Sequence, residues 1–349
     1  MAFIICDDQK QNINLSDYAW NCIYEDMMNF FDGDSSKTNL SGFLNIVFKN
    51  YYQFSNASIS FRINEYKDEL NTIFQNEEFN SIESNILKKI QKNLISSFSK
   101  KMKKIENKYP KGEYRKFRLN NANYSYLTEE STEDKYYQSS SGHYLKLLFE
   151  EYTRLTYSER EHIFFRHTFE TISDAITNNC LLKLTIKNGK KFEVIPYAIE
   201  NDKIGILNYL VGYTLDNNPC SFRISRITNI SMLRSKKVKL NNNQKQIIDN
   251  ILHTQGPQFL AGQIIPIVIK FSDIGLNNYK TQIHLRPKVS NKLDDNTFMF
   301  NCSEVQAIYY FFKFGREITI ISPKSLRDKF TRFYHAALKN YKNEQKEVS

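Results

Sequence analysis

Residues 181–200 read LLKLTIKNGKKFEVIPYAIE and carry the clearest structural signal in the chain. Two runs of alternating apolar and polar residues flank Asn188-Gly189, the dipeptide most typical of a two-residue β-hairpin turn. We expect Pro196 to end the second strand, because proline donates no ladder hydrogen bond. Further short strands are predicted at NYLVGY (208–213) and FRISRI (222–227), and this succession of strands and tight turns indicates a small barrel.

Three features of this region follow one another: Pro196, then Tyr209-Leu210-Val211-Gly212, then the FRISRI segment. Their order and spacing resemble the signature of the WYL-domain family. The sequence departs from that signature at Asn208, where the family has Trp, and at Thr185 or Ile186, where the family often has Tyr. The resemblance implies an Sm-like, SH3-type barrel whose polar and basic face binds nucleic acid or nucleotide-like ligands.

The family's binding face, carried over to this sequence, consists of Tyr209, Arg223, Ser225 and Arg226. Arginine offers phosphate a rigid fork of donors, and tyrosine offers a stacking plane and a hydroxyl. Strand alternation places Arg223 and Arg226 on opposite faces, so a bulge or twist is needed for them to converge. The alternative interpretation is structural: Tyr209 would be a core aromatic residue, and Arg226 would pair with a carboxylate.

The N-terminal region changes its hydrophobic period twice. KQNINL at 10–15 alternates between polar and more apolar positions, which predicts a short strand. Ser16-Asp17 predicts a helix start, and apolar residues at spacings of three and four predict a helix to about Phe31. A second helix is expected to begin at Asn39 or Ser41.

This strand–helix–helix order resembles the ribbon-helix-helix family, in which strands of two chains pair and enter the major groove of DNA. The resemblance implies a homodimer whose outward strand residues read bases while the second helix starts near phosphate. The residues assigned to these contacts are Lys10, Asn12, Asn14, Lys37, Thr38, Asn39 and Ser41. The alternative is a dimerisation module that has lost its DNA contacts.

Residues 62–110 are predicted to be helical, with an apolar stripe from Ile86 to Ile105 and lysines on the other faces. The basic run continues into YRKFRL (114–119), which we expect to form a strand. The run is either a solvated lysine face or a surface that tracks the phosphates of single-stranded nucleic acid. Its phosphate-contacting residues would be Lys100, Lys101, Lys103, Lys104, Arg115 and Arg118.

The C-terminal third shows a β-β-β-α-β-α order, with its first strands predicted at IPIVIKFSDIG, YKTQIHLRPKV and NTFMFNCS. Ser322-Pro323 is typical of the start of a helix, here the last one. This order resembles the small α/β extension that follows WYL domains, where it serves oligomerisation or ligand gating.

These features predict an α+β multidomain protein. Its four expected parts are a ribbon-helix-helix domain (1–54), a helical connector with the basic helix (55–167), a WYL domain with an Sm/SH3-like β-barrel (168–236) and a small α/β extension (237–349).

Composition narrows the class of function. The 349-residue chain carries a formal net charge of +10, which favours an anionic partner such as nucleic acid. Its five cysteines form no CxxC pair, so we predict no disulfide framework and no metal site, and a reducing cytoplasm fits best. We expect no membrane span, because no apolar run is long enough. Known phosphate-loop, dinucleotide and hydrolase motifs are missing, so neither enzymatic activity nor a cofactor is expected.

Two functions stay open. The domain order resembles WYL accessory proteins encoded beside RNA-targeting (type VI) CRISPR effectors, which implies binding to single-stranded RNA and an effector protein as partner. The other function is that of a ligand-responsive ribbon-helix-helix regulator that binds duplex operator DNA. A preference for unpaired RNA or for duplex DNA would distinguish them.

Overall fold

The computed structural model describes the chain in two compact units, Met1–Arg166 and His167–Ser349. Its description leaves out residues 1–3, 6–7, 32–38, 59–60, 63, 66–67, 70–71, 73–83, 107–108, 131–138, 203–205, 261–263, 284 and 348–349. Lys37 and Thr38 therefore lie outside the described residues, as do the side chains of Lys103 and Lys104. The finer division into four domains stays a prediction.

The first unit is mainly helical and contains one antiparallel ribbon, in which β2 pairs with β3, and a short parallel pair of β1 with β4. Its strands are β1 (Ile4–Ile5), β2 (Lys10–Asn14), β3 (Tyr114–Arg118) and β4 (Ser139–Ser140). Its helices are α1 (Asp17–Phe30), α2 (Leu40–Tyr51), α3 (Ser84–Glu106), α4 (Asn121–Ser125), a π turn (Tyr126–Glu130), α5 (Ser141–Tyr152) and α6 (Tyr157–Phe164).

Local capping sets where the first two helices begin. The Ser16 side chain accepts a hydrogen bond from the backbone N–H of Ala19, and the Asn39 side chain accepts one from that of Gly42. Both predicted helix starts are therefore confirmed. Gln11 and Ile13, the inward positions of β2, are buried as the alternation predicts, and so is Leu15 directly after the strand.

The second unit begins with helix α7 and contains two antiparallel sheets. Its strands are β5 (Cys180–Ile186), β6 (Lys191–Asn201), β7 (Asn208–Thr214), β8 (Pro219–Arg223), β9 (Ile227–Lys237), β10 (Ile264–Phe271), β11 (Val289–Lys292), β12 (Thr297–Ser303) and β13 (Ile318–Ser322). Its helices are α7 (Arg166–Thr177), α8 (Asn242–Thr254), α9 (Asp273–Thr281), α10 (Glu304–Phe311) and α11 (Lys324–Glu347).

The first of these sheets has the order β8-β7-β6-β5-β9, and the predicted β5–β6 hairpin is confirmed. The Ile186 N–H donates to the Lys190 carbonyl oxygen, so the loop contains three residues, 187–189, and not two. Gly189 is the last residue of this loop and has a φ of 79°, the left-handed conformation that a three-residue hairpin loop requires there. Pro196 does not end its strand, because β6 continues to Asn201 past a register shift between Pro196 and Ala198. The bulge accommodates the missing donor without ending the ladder. Closure of the sheet into a barrel stays a prediction.

The second sheet has the order β11-β12-β10-β13. The predicted strand at YKTQIHLRPKV is wrong over most of its length, because its first three residues end helix α9 and strand β11 begins only at Val289. Ser272 caps α9 by accepting a hydrogen bond from the backbone N–H of Gly275 at 3.0 Å, and this N-cap signal outweighs the alternating pattern. The last helix, α11, follows Ser322-Pro323 as predicted.

The described architecture is a mixture of helices and antiparallel sheets in separate units, so the predicted α+β multidomain class is confirmed at that level. Among the described residues, no helix combines the length and apolar character needed to cross a membrane.

Candidate nucleic-acid interface

The β2–β3 ribbon brings together two basic segments that lie far apart in the sequence. Lys10 lies opposite Arg118, and Asn12 lies opposite Lys116. Directly opposed residues share one face of an antiparallel pair, so these four side chains point the same way, and all four are exposed. We call Lys10, Asn12, Lys116 and Arg118 the basic ribbon face.

A tight backbone junction holds the other end of the ribbon. The Asn14 side chain donates to the carbonyl oxygen of Gly112 at 2.6 Å and accepts from its N–H at 3.0 Å. A Cβ atom at Gly112 would lie 2.2 Å from the carbonyl oxygen of Leu15, so only glycine allows this approach. Asn14 was expected to point outward as a base-reading residue. Its side chain is instead buried and makes these two hydrogen bonds inside the protein.

The ribbon is built within one chain, whereas the resemblance to ribbon-helix-helix proteins implied pairing across a dimer. The backbone N–H of Leu119 donates to the carbonyl oxygen of Gln9, so these two residues form a hydrogen-bonded pair. Hydrogen-bonded and non-hydrogen-bonded pairs alternate along an antiparallel ladder, so the N–H and C=O of Asn12 point away from β3. That edge is covered, because a Cβ at Gly142 in α5 would lie 3.1 Å from the Asn12 carbonyl oxygen. The beginning of α5 therefore lies where a second chain's strand would have to pair.

The start of α2 contacts the basic end of the ribbon. Ser41 Oγ accepts a hydrogen bond from the backbone N–H of Arg118 at 3.0 Å, and Asn45 Nδ2 donates to the Arg118 carbonyl oxygen at 2.8 Å. Asn39 is the N-cap of this helix. Both Asn39 and Ser41 thus fix the backbone, and they place the positive end of the α2 dipole beside Arg118.

The other described residues that were predicted to contact phosphate lie on different elements. Lys100 and Lys101 are exposed on α3. Arg115 points to the other side of the ribbon from Arg118, where its guanidinium carbon lies 5.4 Å from the ring centre of Trp20 and 5.0 Å from that of Tyr24. It also forms an ion pair with Glu113 at 2.5 Å. Arg115 therefore packs against aromatic rings, while Arg118 remains on the basic ribbon face.

Two further residues of this surface belong to the predicted basic run but were not among its assigned phosphate contacts. Lys116 lies on the basic ribbon face, and Tyr114, which is 65% exposed, lies on the same side of β3. The alternation within YRKFR indicates this placement. The buried Phe117 marks the inward face, so Tyr114, Lys116 and Arg118 point outward.

In the second unit, the WYL-like residues lie around the junction of β7, β8 and β9. Tyr209 is directly opposite Arg223 in the β7–β8 ladder, and both side chains are half-buried. Ile224–Arg226 forms a 3₁₀ turn, so the expected continuous FRISRI strand is interrupted there. A break in the strand alternation is what Arg223 and Arg226 would need in order to converge, and this turn provides it. It leaves Arg226 exposed and Ser225 buried.

The neighbouring strand residues support this junction. Gly212 is opposite Pro196, and a Cβ at Gly212 would lie 2.2 Å from the Ile195 carbonyl oxygen. The bulged backbone of β6 therefore requires glycine at this position of β7. Burial raises the pKa of the Cys220 thiol on β8 to about 12, so this sulfur is protonated at neutral pH.

The chain shares its fold with a solved structure described as "Crystal structure of a CRISPR Cas-related protein". The TM-score is 0.71 and the sequence identity 20%, and the similarity covers 98% of both chains. A second structure, proteasome accessory factor B/C (PafBC) of Arthrobacter aurescens, matches with a TM-score of 0.24 and 17% identity over 49% of this chain and 27% of that one, which is too low to compare folds. No protein-family model and no curated protein matches the sequence.

Proposed function

We propose that this protein is a nucleic-acid-binding accessory protein of a CRISPR-type system, not an enzyme, and that it binds single-stranded RNA. The observation that carries the proposal is the junction of Tyr209, Arg223 and Arg226. A half-buried tyrosine opposite an arginine, followed by an exposed arginine on a turn, offers an aromatic plane beside donors for phosphate. The full-length similarity to a CRISPR Cas-related structure supports the biological setting.

The proposed site has a WYL-type character, with Arg226 as the main phosphate contact and Arg223 with Tyr209 behind it. Ser225 is buried within the 3₁₀ turn, so in this proposal it shapes the turn and does not contact the ligand. The proposed partners are single-stranded RNA, a second copy of the chain and a CRISPR effector protein, in a cytoplasmic setting and without a cofactor. A homodimer would use a surface other than the β2 edge at Asn12, which α5 covers.

The test is fluorescence anisotropy with labelled single-stranded RNA, single-stranded DNA and duplex DNA, at low and at moderate salt. Arg226→Ala should weaken RNA binding about tenfold, because one charged phosphate contact is worth on the order of 1.4 kcal/mol. The matched control is Arg316→Ala, since this side chain is 91% exposed and its ion-pair partner is the adjacent Glu317. Equal RNA binding by the wild type and both variants would refute the assignment of the site.

A second candidate function is supported by the ribbon. A ligand-responsive regulator of the ribbon-helix-helix type would bind operator DNA through Lys10 and Asn12, with the start of α2 near phosphate. Binding to one duplex sequence far above random duplex, with RNA binding no stronger than that to random duplex, would favour this candidate over the first.

A further inference from the structure

A cavity of about 300 Å³ lies in the second unit, apart from the junction of Tyr209, Arg223 and Arg226. Its lining comes from the end of α7, from the start of β5 and from β9: Asp174, Asn178, Cys180, Met232, Arg234 and Lys237. Arg226 directly precedes β9, whereas Arg234 and Lys237 lie near the end of that strand. The cavity and the junction therefore lie toward opposite ends of β9. The volume is at the lower end of the range of small-ligand sites.

An irregularity of β9 accompanies this cavity. Cys180 pairs with Lys237 in the β5–β9 ladder, but the next residue of β5 pairs with Leu233. Residues 234–236 of β9 are therefore extra and form a wide bulge, and the first of them is the arginine that lines the cavity. Bulges re-aim side chains and are common beside functional sites. The bulge thus gives β9 a charged side chain at a position that a regular ladder would not provide.

A second cation is fixed at the wall of the cavity. Lys237 Nζ donates to the carbonyl oxygen of Asn178 at 2.9 Å and contacts the Cys180 sulfur at 3.4 Å. Neither partner is a carboxylate, so the ammonium charge is oriented but not neutralised. An ammonium group has three N–H donors, and these two contacts leave the third for a ligand.

The cavity contains two further charged side chains, Asp174 and Arg234. Within the part of the chain that the structure describes, neither side chain forms an ion pair or a side-chain hydrogen bond. The backbone under Asp174 is held, because its carbonyl oxygen accepts from the Asn178 backbone N–H at 2.9 Å and from the Asn178 side chain at 2.8 Å. The cavity therefore offers a ligand one carboxylate and two cations.

We propose that this cavity binds a small zwitterion of net negative charge, with one ammonium group and two anionic groups, as acidic amino acids have. Arg234 and Lys237 bind the two anionic groups through charged hydrogen bonds, and Asp174 binds the ammonium group. The half-buried Met232 provides an apolar wall for the carbon chain of the ligand. A simple dianion would bring a like charge to Asp174, and a simple cation would bring one to Arg234 and Lys237. A zwitterion satisfies all three residues.

The test is isothermal titration calorimetry of the full-length protein with L-glutamate and with L-aspartate. Each amino acid is compared with the dicarboxylate that lacks its ammonium group, which is glutarate for glutamate and succinate for aspartate. At least one of the two amino acids should bind, and its dicarboxylate should bind tenfold more weakly or less, because the contact to Asp174 is lost and replaced by repulsion.

Two variants assign the contacts. Arg234→Gln should weaken binding of the amino acid tenfold or more, because one charged contact is lost. Asp174→Asn should also weaken the amino acid but should leave the dicarboxylate bound as well or better, a reversal that a misfolded variant would not show. The matched control is Lys236→Gln, which removes one charge from the same bulge, since the Lys236 side chain pairs with Glu193 at 3.6 Å instead of lining the cavity.

The outcomes are separable from those of the proposed function, because Arg226→Ala should leave amino-acid binding unchanged whatever it does to RNA binding. The proposal is overturned if the wild type binds neither amino acid, or binds each amino acid no more tightly than its dicarboxylate. Equal losses in Arg234→Gln and Lys236→Gln would mean that only total charge matters and would overturn it too. A loss in Arg226→Ala as large as that in Arg234→Gln would place the ligand at the junction instead of the cavity.

Discussion

The buried ion pair between Asp26 and Arg160 gives the most quantitative prediction for the first unit. Asp26 is fully buried, and Arg160 Nε and Nη2 donate to its two carboxylate oxygens at 2.7 Å and 3.1 Å. Tyr152 also donates its hydroxyl to Asp26 at 2.9 Å, and Arg160 donates to the carbonyl oxygen of Leu155 at 2.6 Å. These donors are the environment of an ionised carboxylate, and they link α1, α5 and α6.

Replacing Asp26 with Asn keeps the shape of the side chain but removes the charge that compensates the buried guanidinium. Removing one partner of a buried ion pair costs about 3–5 kcal/mol, because the other charge stays buried and unpaired. We therefore expect Asp26→Asn to lower the free energy of unfolding of the first unit by about that amount. The double variant Asp26→Leu/Arg160→Met should lose much less than the sum of the two single changes, since it leaves no unpaired charge.

The single tryptophan of the chain provides the assay. Trp20 is buried in the first unit, and its indole N–H donates to the carbonyl oxygen of Glu113 at 2.9 Å, so its fluorescence reports unfolding around the ribbon. Urea titrations followed at this tryptophan give the free energies for the wild type, both single variants and the double variant. A loss below about 1 kcal/mol in Asp26→Asn, or strict additivity in the double variant, would refute the reasoning.

Two further predictions concern the second unit. Gly212→Ala should destabilise it by about 1–3 kcal/mol or more and weaken RNA binding, because the new Cβ would lie 2.2 Å from the Ile195 carbonyl oxygen. Gly42→Ala is the control, since its Cβ meets nothing closer than 3.5 Å; equal thermal midpoints for both variants would contradict the steric argument. Hydrogen bonds from Lys329 and Ser325 lower the pKa of Glu304 below its ordinary value, so this carboxylate stabilises the fold above its unfolded-state pKa, and the contribution is lost as pH falls through the lower folded-state value. Glu304→Gln should therefore be less stable than wild type at pH 7, by up to about 1 kcal/mol because the pair is partly exposed, and the difference should vanish in acid; a difference that persists near pH 3 would point to lost packing.

Features with a local cause could be predicted well. The N-caps at Ser16 and Asn39, the hairpin at Asn188-Gly189 and the inward positions of β2 depend on residues within a few positions of one another, and all are found in the structure. Two predicted strands overran the two ends of helix α9, because the alternating pattern was given more weight than the N-cap at Ser272. Pro196 was expected to end its strand because proline donates no ladder hydrogen bond, but a bulge lets β6 continue.

The candidate sites show which features local sequence patterns do not determine. The sequence alone determined that the chain is basic, that KQNIN and YRKFR are strands, and that two arginines lie near an aromatic strand. Only the tertiary structure decided that KQNIN pairs with YRKFR of the same chain, that Lys10 is opposed by Arg118, and that a 3₁₀ turn follows Arg223 and contains Arg226. The physical reason is that a strand presents equal donors and acceptors to every other strand, so its own residues do not specify a partner. The pairing partner of β2 is instead fixed by burial of the whole core, by the Asn14–Gly112 junction and by α5, which covers the free edge of β2.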